Sequence, residues 1–338
     1  MENYLSLMIE DYVEIENIEE ILYKLDFVKK YEVGTRYYWF KEYESLLGCD
    51  IEIQRDIEVC VNDEPEEYKI FKTVCRTQTF PGCSFADLEM QNKVLKLIQA
   101  NFGGMLFDIE DYQTDFIKND LPKFTKTEIA CGLEYLNFVV NLKRVGRLIE
   151  EVDEVLIDVL AGNTKKPFDL ILDENLLRNN VLIPFCVSVL ENFLKTFLKK
   201  YLETNKEARD RIYNQKETLP YSEIKKLMSG EKSIVDIEIN KFSFQRLHSV
   251  NSAYISYLDI NLKKTVLSKK FLYDGEEISI LDVLNELITQ RHQLIHEAKL
   301  AANLNKKEVE KYLYFLQNFG ELFINEIMKK HNLKLIGL

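Results

Sequence analysis

The chain has 338 residues, a net charge of −12 and 46% apolar residues. The length is enough for two ordinary domains, and the composition is that of a globular protein rather than a disordered or fibrous one. Charge divides the chain unevenly. Residues 1–120 hold 26 Asp and Glu against 12 Lys and Arg, whereas residues 121–338 hold 30 against 32. The first part should therefore repel nucleic acid, while the second can accept it.

Targeting signals are not apparent in the sequence. The first residues lack the basic region and long apolar stretch of a signal peptide, and the most apolar segment, 181–190, is shorter than the roughly 20 residues of a membrane span. We expect a cytoplasmic protein without membrane contact. The six cysteines form no CxxC pair, so we expect them to be reduced, with Cys186 in the core. A zinc site built from Cys75 and Cys83 is a minor alternative.

Residues 1–118 alternate between strand and helix patterns. Strands are predicted at 4–9, 36–40, 51–61, 68–80 and 105–107, and helices at 18–25 and 86–101. Ser84 is a plausible N-cap of the second helix, with Asp87 three residues on. The aromatic run 37–40 is interpreted as core packing rather than base stacking, because the region is acidic. The order β-α-β-β-α-β predicts a ferredoxin-like α+β domain, an antiparallel sheet with two helices on one face.

From Thr127 onwards, the apolar residues recur with the spacing of an α-helix. Residues 127–160 form either a connecting helix or the first helix of a second domain, and the pattern does not decide between them. Further helices are predicted at 181–202, from 242, at 278–300 and at 307–330. In the first of these, Pro184 is tolerable only near the first turn. An all-α second half follows.

The most informative segment is Arg291-His292-Gln293-Leu294-Ile295-His296. At 100° per residue, one helical stripe contains an arginine where the pattern expects a leucine; its members are Leu281, Leu284, Ile288, Arg291 and Ile295. A buried guanidinium needs a partner, so Arg291 should be either a paired structural ion or part of a site. His292 and His296 are four residues apart and should share one face.

Arginine and histidine together suit one chemistry in particular. The guanidinium fork matches phosphate oxygens and stabilises charge that grows on a phosphorane. An imidazole that titrates near neutrality can move the proton of a ribose hydroxyl. These groups would suffice for metal-free RNA cleavage through the 2′-hydroxyl.

Two alternatives for the motif remain open from the residues alone. Arg291 could simply pair with Glu191 inside the bundle. A zinc site could use His292, His296 and Glu297, although a zinc protease would need glutamate where Gln293 stands. Outside the motif, His248 is interpreted as a helix-surface or interface residue rather than a catalytic one. The lysine pairs 199–200, 263–264 and 269–270 could follow an RNA backbone or be ordinary solvated faces.

The motif consists of an arginine, four further residues and a histidine, and a polar residue directly follows the arginine. This pattern resembles the signature of the HEPN superfamily of ribonucleases. The segment 187–195, with Glu191 embedded, resembles the first long HEPN helix. Residues 242–247 followed by 249–251 resemble a segment of HEPN toxins linked to defence, and the closing helix also fits. The similarity covers about residues 175–330 and does not reach the N-terminal domain.

The resemblance implies a helical bundle that dimerises, so that two copies of the motif face each other across a cleft. It implies that Arg291 binds the scissile phosphate, that His296 transfers the proton, that His292 assists with phosphate or ribose contacts, and that Glu191 orients Arg291. It implies cleavage with no metal and no cofactor, and cyclic phosphate ends. Members are often toxins or abortive-infection effectors against phage. Some have lost catalysis, so a non-catalytic HEPN binding or dimerisation protein is the alternative.

We therefore expect three regions: an acidic α+β regulatory domain at 1–118, a helical connector at 119–174 and a HEPN nuclease domain at 175–338. The expected partners are an RNA substrate, a second copy of the chain, and an antitoxin or phage-derived trigger at the N-terminal domain. The regulatory role rests on the charge difference between the two parts.

Overall fold

A computed structural model describes residues 3–32, 34–63, 66–110, 112–154, 174–214, 218–301 and 304–336. The chain divides into two units, which meet in sequence at Ile129 and Ala130. Each unit has its own apolar core.

The first unit is built on one antiparallel sheet. Its elements are β1 (Asn3–Ile9), α1 (Ile15–Lys24), β2 (Val28–Lys29), β3 (Arg36–Trp39), β4 (Cys49–Asp63), β5 (Glu66–Thr79), α2 (Phe85–Phe102) and β6 (Met105–Phe107). The strand order is β2-β3-β4-β5-β1-β6. The predicted β-α-β-β-α-β pattern is present as β1-α1-β4-β5-α2-β6, and the predicted strand at 36–40, which that pattern does not count, is β3. The short hairpin of β2 and β3 extends the sheet at the β4 edge.

Both helices cover the same face of this sheet, as predicted. Alternate residues of β1 point to opposite faces, and Leu5 and Leu7 share a core with Ile18 of α1 and Ile98 of α2. The opposite face holds a smaller cluster of Met8, Val59, Phe71, Val74 and Phe107. The predicted core packing of the aromatic run 37–40 is found for Tyr37 and Trp39, which are buried, but not for Phe40, which is 46% exposed.

The predicted N-cap of α2 is confirmed. Ser84 Oγ accepts a hydrogen bond from the Asp87 amide, and Asp87 Oδ2 accepts one from the Ser84 amide, which completes a capping box. The same carboxylate oxygen accepts hydrogen bonds from the amides of Leu46 and Leu47, both at 3.1 Å. Asp87 thus ties the start of α2 to the β3–β4 connection.

The second unit is a helical bundle. Its elements are α3 (Lys126–Glu154), α4 (Glu174–Thr204), α5 (Lys206–Tyr213), α6 (Tyr221–Met228), α7 (Ile234–Ile239), α8 (Leu247–Leu258), a π-helical turn (Lys263–Leu267), β7 (Lys270–Tyr273), β8 (Glu276–Ser279), α9 (Ile280–His296) and α10 (Lys306–His331). The helical second half is as expected. The β7–β8 hairpin, which closes around the Asp274-Gly275 turn, is an addition.

Helix α3 belongs to the core of this bundle. Phe138 of α3 stacks on Phe193 of α4 with ring centroids 4.3 Å apart, and Phe193 contacts Phe323 of α10 at 5.0 Å. At Gly320 a Cβ atom would come within 2.6 Å of the Phe138 ring, so only glycine allows this approach. The sequence pattern left open whether this segment connects or packs, and our expected division placed it in a helical connector at 119–174. Its contacts make α3 the first helix of the bundle instead.

Helix α4 begins well before the predicted residue, Val181. Pro184 therefore lies inside the helix rather than in its first turn, contrary to our expectation. An internal proline removes one backbone hydrogen bond and costs about 3 kcal/mol. The buried side chains on either side of it, Ile183, Cys186 and Val187, offset that cost by holding the helix in the core.

Helix α4 is also much longer than the apolar segment 181–190, which by itself is too short to span a membrane. Residues Leu176–Thr204 are long and apolar enough to cross a bilayer by length and composition, with a mean hydropathy of 1.6 in the most apolar window. In the bundle, 56% of that window is buried. Packing as the central helix therefore accounts for much of its apolar character.

Five of the six cysteines have described side chains, and these five form no disulfide bond. Cys49, Cys75, Cys131 and Cys186 are buried, and Cys83 is half-buried. Burial raises the pKa of the Cys75 and Cys186 thiols to about 12, so they stay protonated and inert at neutral pH. Within the described ranges, no three His, Cys, Asp or Glu side chains are grouped so that they could hold a metal ion.

Candidate functional site

Helix α9 carries the motif from the core into solvent. Ser279 caps its start by accepting a hydrogen bond from the Asp282 amide at 3.1 Å. Its first half is anchored by buried Ile280, Val283, Leu284 and Leu287. The last four residues of the helix, from Gln293, have no fully buried side chain. The helix ends at His296, just before Ala298 with φ of 51°.

Arg291 lies one turn beyond the last fully buried residue of α9. At 100° per residue, it projects within about 40° of both Leu284 and Leu287. The side chain is half-buried. The expected stripe is correct up to this point, but Ile295 is 50% exposed because the helix has by then left the core. Arg291 therefore sits at the boundary between the packed bundle and solvent.

Glu191 of α4 interacts with Arg291 electrostatically but not by direct contact. Burial raises the pKa of the Glu191 carboxyl, and the charge of Arg291 offsets part of that rise. Within the described part of the chain, Glu191 Oε1 is buried without a hydrogen-bond partner, and no salt bridge joins the two side chains. The guanidinium fork is therefore not occupied by Glu191.

His292 and His296 lie together on the exposed side of α9. Their ring centroids are 4.6 Å apart and the planes are tilted by 44°. Both side chains are exposed. The four-residue spacing thus places two imidazoles side by side at the solvent-facing end of the helix, while Arg291 projects toward the core boundary.

This arrangement brings a cation and two proton-carrying groups to one helix end. A half-buried guanidinium can bind a phosphate through two parallel hydrogen bonds, and it does so more strongly where water is partly excluded. An exposed imidazole can reach a bound ribose hydroxyl. A zinc ion on His292, His296 and Glu297 would need these three to form a cluster, and no such cluster occurs among the described residues.

The lysine pairs differ in what they contact. Lys199 forms a salt bridge with Asp236 at 2.6 Å, and Lys200 forms one with Glu203 at 3.5 Å, so the first pair is engaged within the bundle. Lys263 instead lines a cavity of about 660 Å³ between α8 and α9.

The sequence does not predict this cavity. His248, which we interpreted as a surface residue, is exposed and lines the cavity beside Arg246. The cavity could not be inferred from spacing, because its residues come from α8, the π-helical turn and α9. One signal was available: Asn285, Ile288 and His292 share one side of a helix.

Comparison with known proteins gives a match for the helical half of the chain. A family model described as RiboL-PSP-HEPN matches residues 147–329, which is more than half of the chain. The match begins within α3. No curated protein and no solved structure matches the chain.

HEPN domains typically dimerise and bind RNA, and the superfamily includes ribonucleases, so the match suggests a nuclease or RNA-binding role. The Arg291–His296 motif on α9 lies within the matched residues, as does Glu191 on α4. The chain belongs to the RiboL-PSP-HEPN family of the HEPN superfamily.

Proposed function

We propose that the protein is a metal-independent endoribonuclease that cleaves RNA through the ribose 2′-hydroxyl. The observation that carries this proposal is the state of Arg291. It is half-buried beside Glu191, yet its fork forms no salt bridge with that carboxylate, and two exposed imidazoles follow on the same helix. In a structural ion pair, the guanidinium donors of Arg291 would bind the carboxylate of Glu191. In a phosphate site, these donors stay available for the ligand.

In this mechanism, Arg291 binds the scissile phosphate and stabilises the charge that develops on its oxygens. His296 takes the proton of the 2′-hydroxyl as the 2′-oxygen attacks phosphorus. The bond to the 5′-oxygen breaks, and that oxygen leaves with a proton supplied by an imidazolium. The products are a 2′,3′-cyclic phosphate and a 5′-hydroxyl. His292 contacts the phosphate or ribose, and Glu191 orients Arg291 through its charge.

The active form in this proposal is a homodimer. HEPN domains typically dimerise, and an exposed helix end with one arginine and two histidines becomes a two-sided groove when a second copy faces it. The second copy would also supply an imidazole on the other side of the phosphate.

We further propose that the enzyme acts in the cytoplasm as a toxin or abortive-infection effector, and that the acidic first unit regulates it. Support comes from the charge difference between the two parts. It also comes from a cavity of about 780 Å³ in the first unit, lined among others by Trp39, Lys93 and Lys96, which is large enough for a trigger molecule. An antitoxin or a phage-derived trigger would act at this unit.

The regulatory part is tested by comparing the full chain with a chain that starts at residue 119. RNA cleavage and growth inhibition should both rise on removal of the first unit. Unchanged cleavage by a folded shorter chain would contradict regulation by the first unit without affecting the chemistry.

A non-catalytic HEPN binding or dimerisation protein is the second candidate. The observation in its favour is that, among the described residues, no hydrogen bond to either imidazole is found that would orient the ring. It predicts that Arg291→Ala and His296→Ala leave the biological effect intact.

The decisive experiment incubates purified full-length protein with total RNA in chelator and analyses the fragment ends. We expect cleavage with cyclic phosphate ends, and a loss of about 10²- to 10⁴-fold in rate for His296→Ala. Glu297→Gln is the matched control, because it alters the adjacent exposed carboxylate. The Glu297→Gln protein should cleave RNA normally in chelator. If the site held zinc, activity would be lost both in the presence of chelator and in this variant. Equal cleavage by the wild type and His296→Ala would refute the proposal.

A further inference from the structure

The cavity between α8 and α9 differs from the rest of the chain in its charge. Its lining includes the cations Arg246 and Lys263 and the imidazole of His248, and it includes no carboxylate. The whole chain, in contrast, carries 56 acidic residues against 44 basic ones. Within the described part of the chain, neither the Arg246 nor the Lys263 side chain forms a salt bridge. The cavity therefore presents uncompensated positive charge.

The start of α8 adds backbone donors to these cations. Arg246 occupies the N-cap position without a side-chain cap hydrogen bond, and Leu247 and His248 of the first turn line the cavity. The amides of a helix's first turn have no partner within the helix, and the helix dipole favours an anion there. Guanidinium, ammonium and backbone donors thus face one space.

The other walls suit a base and a sugar. Leu267, Leu281 and Ile288 give an apolar surface, and Asn285 and Gln245 offer amide donors and acceptors. The side chain of Asn251 accepts a hydrogen bond from the Lys263 amide at 2.9 Å, which fixes the π-helical turn against α8. A volume of about 660 Å³ lies within the usual range of about 300–1,000 Å³ for sites that bind small molecules.

The α9 residues that line the cavity lead toward the motif along one side of the helix. At 100° per residue, Leu281, Asn285, Ile288 and His292 lie within about 60° of one another. The first three line the cavity. His292 follows Ile288 by one turn, about 6 Å along the axis. A chain that occupies the cavity would therefore reach the two imidazoles without crossing the helix.

We propose that this cavity binds the nucleotide next to the scissile linkage of a single-stranded RNA. Arg246, Lys263 and the first turn of α8 hold its phosphate, and the base lies on Leu281 and Ile288 with Asn285 at its edge. This inference rests on the proposed nuclease function for its choice of ligand. Arg246, His248, Lys263 and Asn285 would then be positioning and specificity residues rather than catalytic ones.

The test measures RNA binding separately from cleavage. A labelled single-stranded RNA is titrated into full-length His296→Ala protein in chelator, alone and combined with Arg246→Ala, Lys263→Ala or Lys264→Ala. We expect the two cavity variants to raise Kd about five- to tenfold and to lower the salt dependence of binding by about one phosphate contact each. Lys264 is the matched control, because it is the exposed neighbour of Lys263 and does not line the cavity. Its variant should stay within about twofold of the parent.

A fourth variant separates a shaped site from general attraction to basic residues. Asn285→Phe fills the cavity from α9 without changing charge, and it should weaken binding as much as the loss of a cation. Full binding by Asn285→Phe, or equal losses for Lys263→Ala and Lys264→Ala, would overturn the inference. The affected residues are exposed, and unchanged melting temperatures will show that the variants are folded.

The outcomes also separate this inference from the proposed function. If the wild type does not cleave RNA but binding depends on the cavity as described, the catalytic proposal fails and the nucleotide site stands. If cleavage depends on His296 while the cavity variants match Lys264→Ala in KM and Kd, the site fails and the nuclease stands. A wild type that binds no RNA would overturn both.

Discussion

Two arginines at half-buried positions, one in each unit, have opposite relations to a nearby carboxylate. In the first unit, Arg36 of β3 donates to Asp50 Oδ2 at 2.8 Å, and Lys30 donates to the same oxygen at 3.1 Å. Only 3% of the Asp50 side chain is exposed. In the second unit, burial raises the pKa of Glu191 and the charge of Arg291 offsets part of that rise, but no salt bridge joins the two side chains.

The difference bears on what each arginine contributes. Arg36 forms a direct pair with Asp50, so its charge mainly stabilises one arrangement of the sheet edge. At Arg291, the carboxylate of Glu191 interacts electrostatically without a salt bridge, so it does not occupy the guanidinium fork. A change at each arginine should therefore have its main effect on a different property: stability at Arg36 and activity at Arg291.

Among the changes to these charged pairs, the largest effect is expected on RNA cleavage by the Arg291→Ala protein. The rate should fall by about 10²- to 10³-fold, because the variant loses its donors to the developing phosphorane charge. Arg291→Lys should recover only part of the rate, because an ammonium keeps the charge but not the two-pronged geometry. Single-turnover cleavage gives the rates, and urea unfolding should show little change. A stability loss of several kcal/mol with intact cleavage would instead make Arg291 a structural ion.

Arg36→Ala should show the opposite pattern. It leaves Asp50 buried with Lys30 as its remaining cation, so we expect a loss of about 2–3 kcal/mol in the free energy of unfolding. Chemical denaturation measures this. Lys24→Ala is the control, because the Lys24–Glu20 pair is exposed and its removal should cost less than about 0.5 kcal/mol. Equal effects for the two variants would show that the Arg36–Asp50 pair adds no stability.

Asp236 extends the comparison to a closed ion pair within the second unit. Its burial raises the carboxyl pKa, but hydrogen bonds from Lys199 and Ser233 outweigh that effect and lower the pKa to about 2. Asp236→Asn should cost about 1 kcal/mol, because it weakens the capping box at the start of α7. Since the folded pKa is depressed, the contribution is full above the unfolded value near 4 and is lost as the pH falls toward 2. The difference between wild type and variant should shrink over that range.

Glu191→Gln should have the smallest effect and the opposite pH dependence. Because burial raises the folded pKa of Glu191, the folded protein binds its proton more tightly than the unfolded chain does. That stabilisation is present below the unfolded pKa and is lost as the pH rises through the folded one. Relative to the variant, the wild type should therefore lose stability as the pH rises from about 4 toward neutrality. Solvent screening should keep the change below about 1 kcal/mol. A variant that loses several kcal/mol at neutral pH would show a closed pair with Arg291.

Much of the fold follows from local patterns in the sequence. Strand-like runs of residues predicted β1, β4 and β5, and the Ser84–Asp87 spacing predicted the cap of α2. The two-residue strand β2 is too short for any period to reveal. The helical element expected from Phe242 begins instead at Leu247. The backbone before it turns, with the Ser243 amide donating to Ser249 Oγ at 2.9 Å.

The candidate site was predictable only in part, for a physical reason. Arg291, His292 and His296 lie on one helix, so their relative directions follow from the helical period alone. The gap between Arg291 and Glu191 depends on how α4 and α9 pack, which no spacing within either helix reports. The α8–α9 cavity likewise joins Arg246, Lys263 and Asn285 from separate segments.

The contact between Gly320 and Phe138 has a practical consequence for anyone who wishes to isolate the helical half. Because α10 accommodates the Phe138 ring where a side chain would otherwise stand, a fragment that begins at residue 175 would leave a ring-sized hole against Phe193 and Phe323. Such a fragment should be aggregation-prone. A fragment that keeps this aromatic stack filled must include Phe138 of α3, which precedes the region that the family similarity covers.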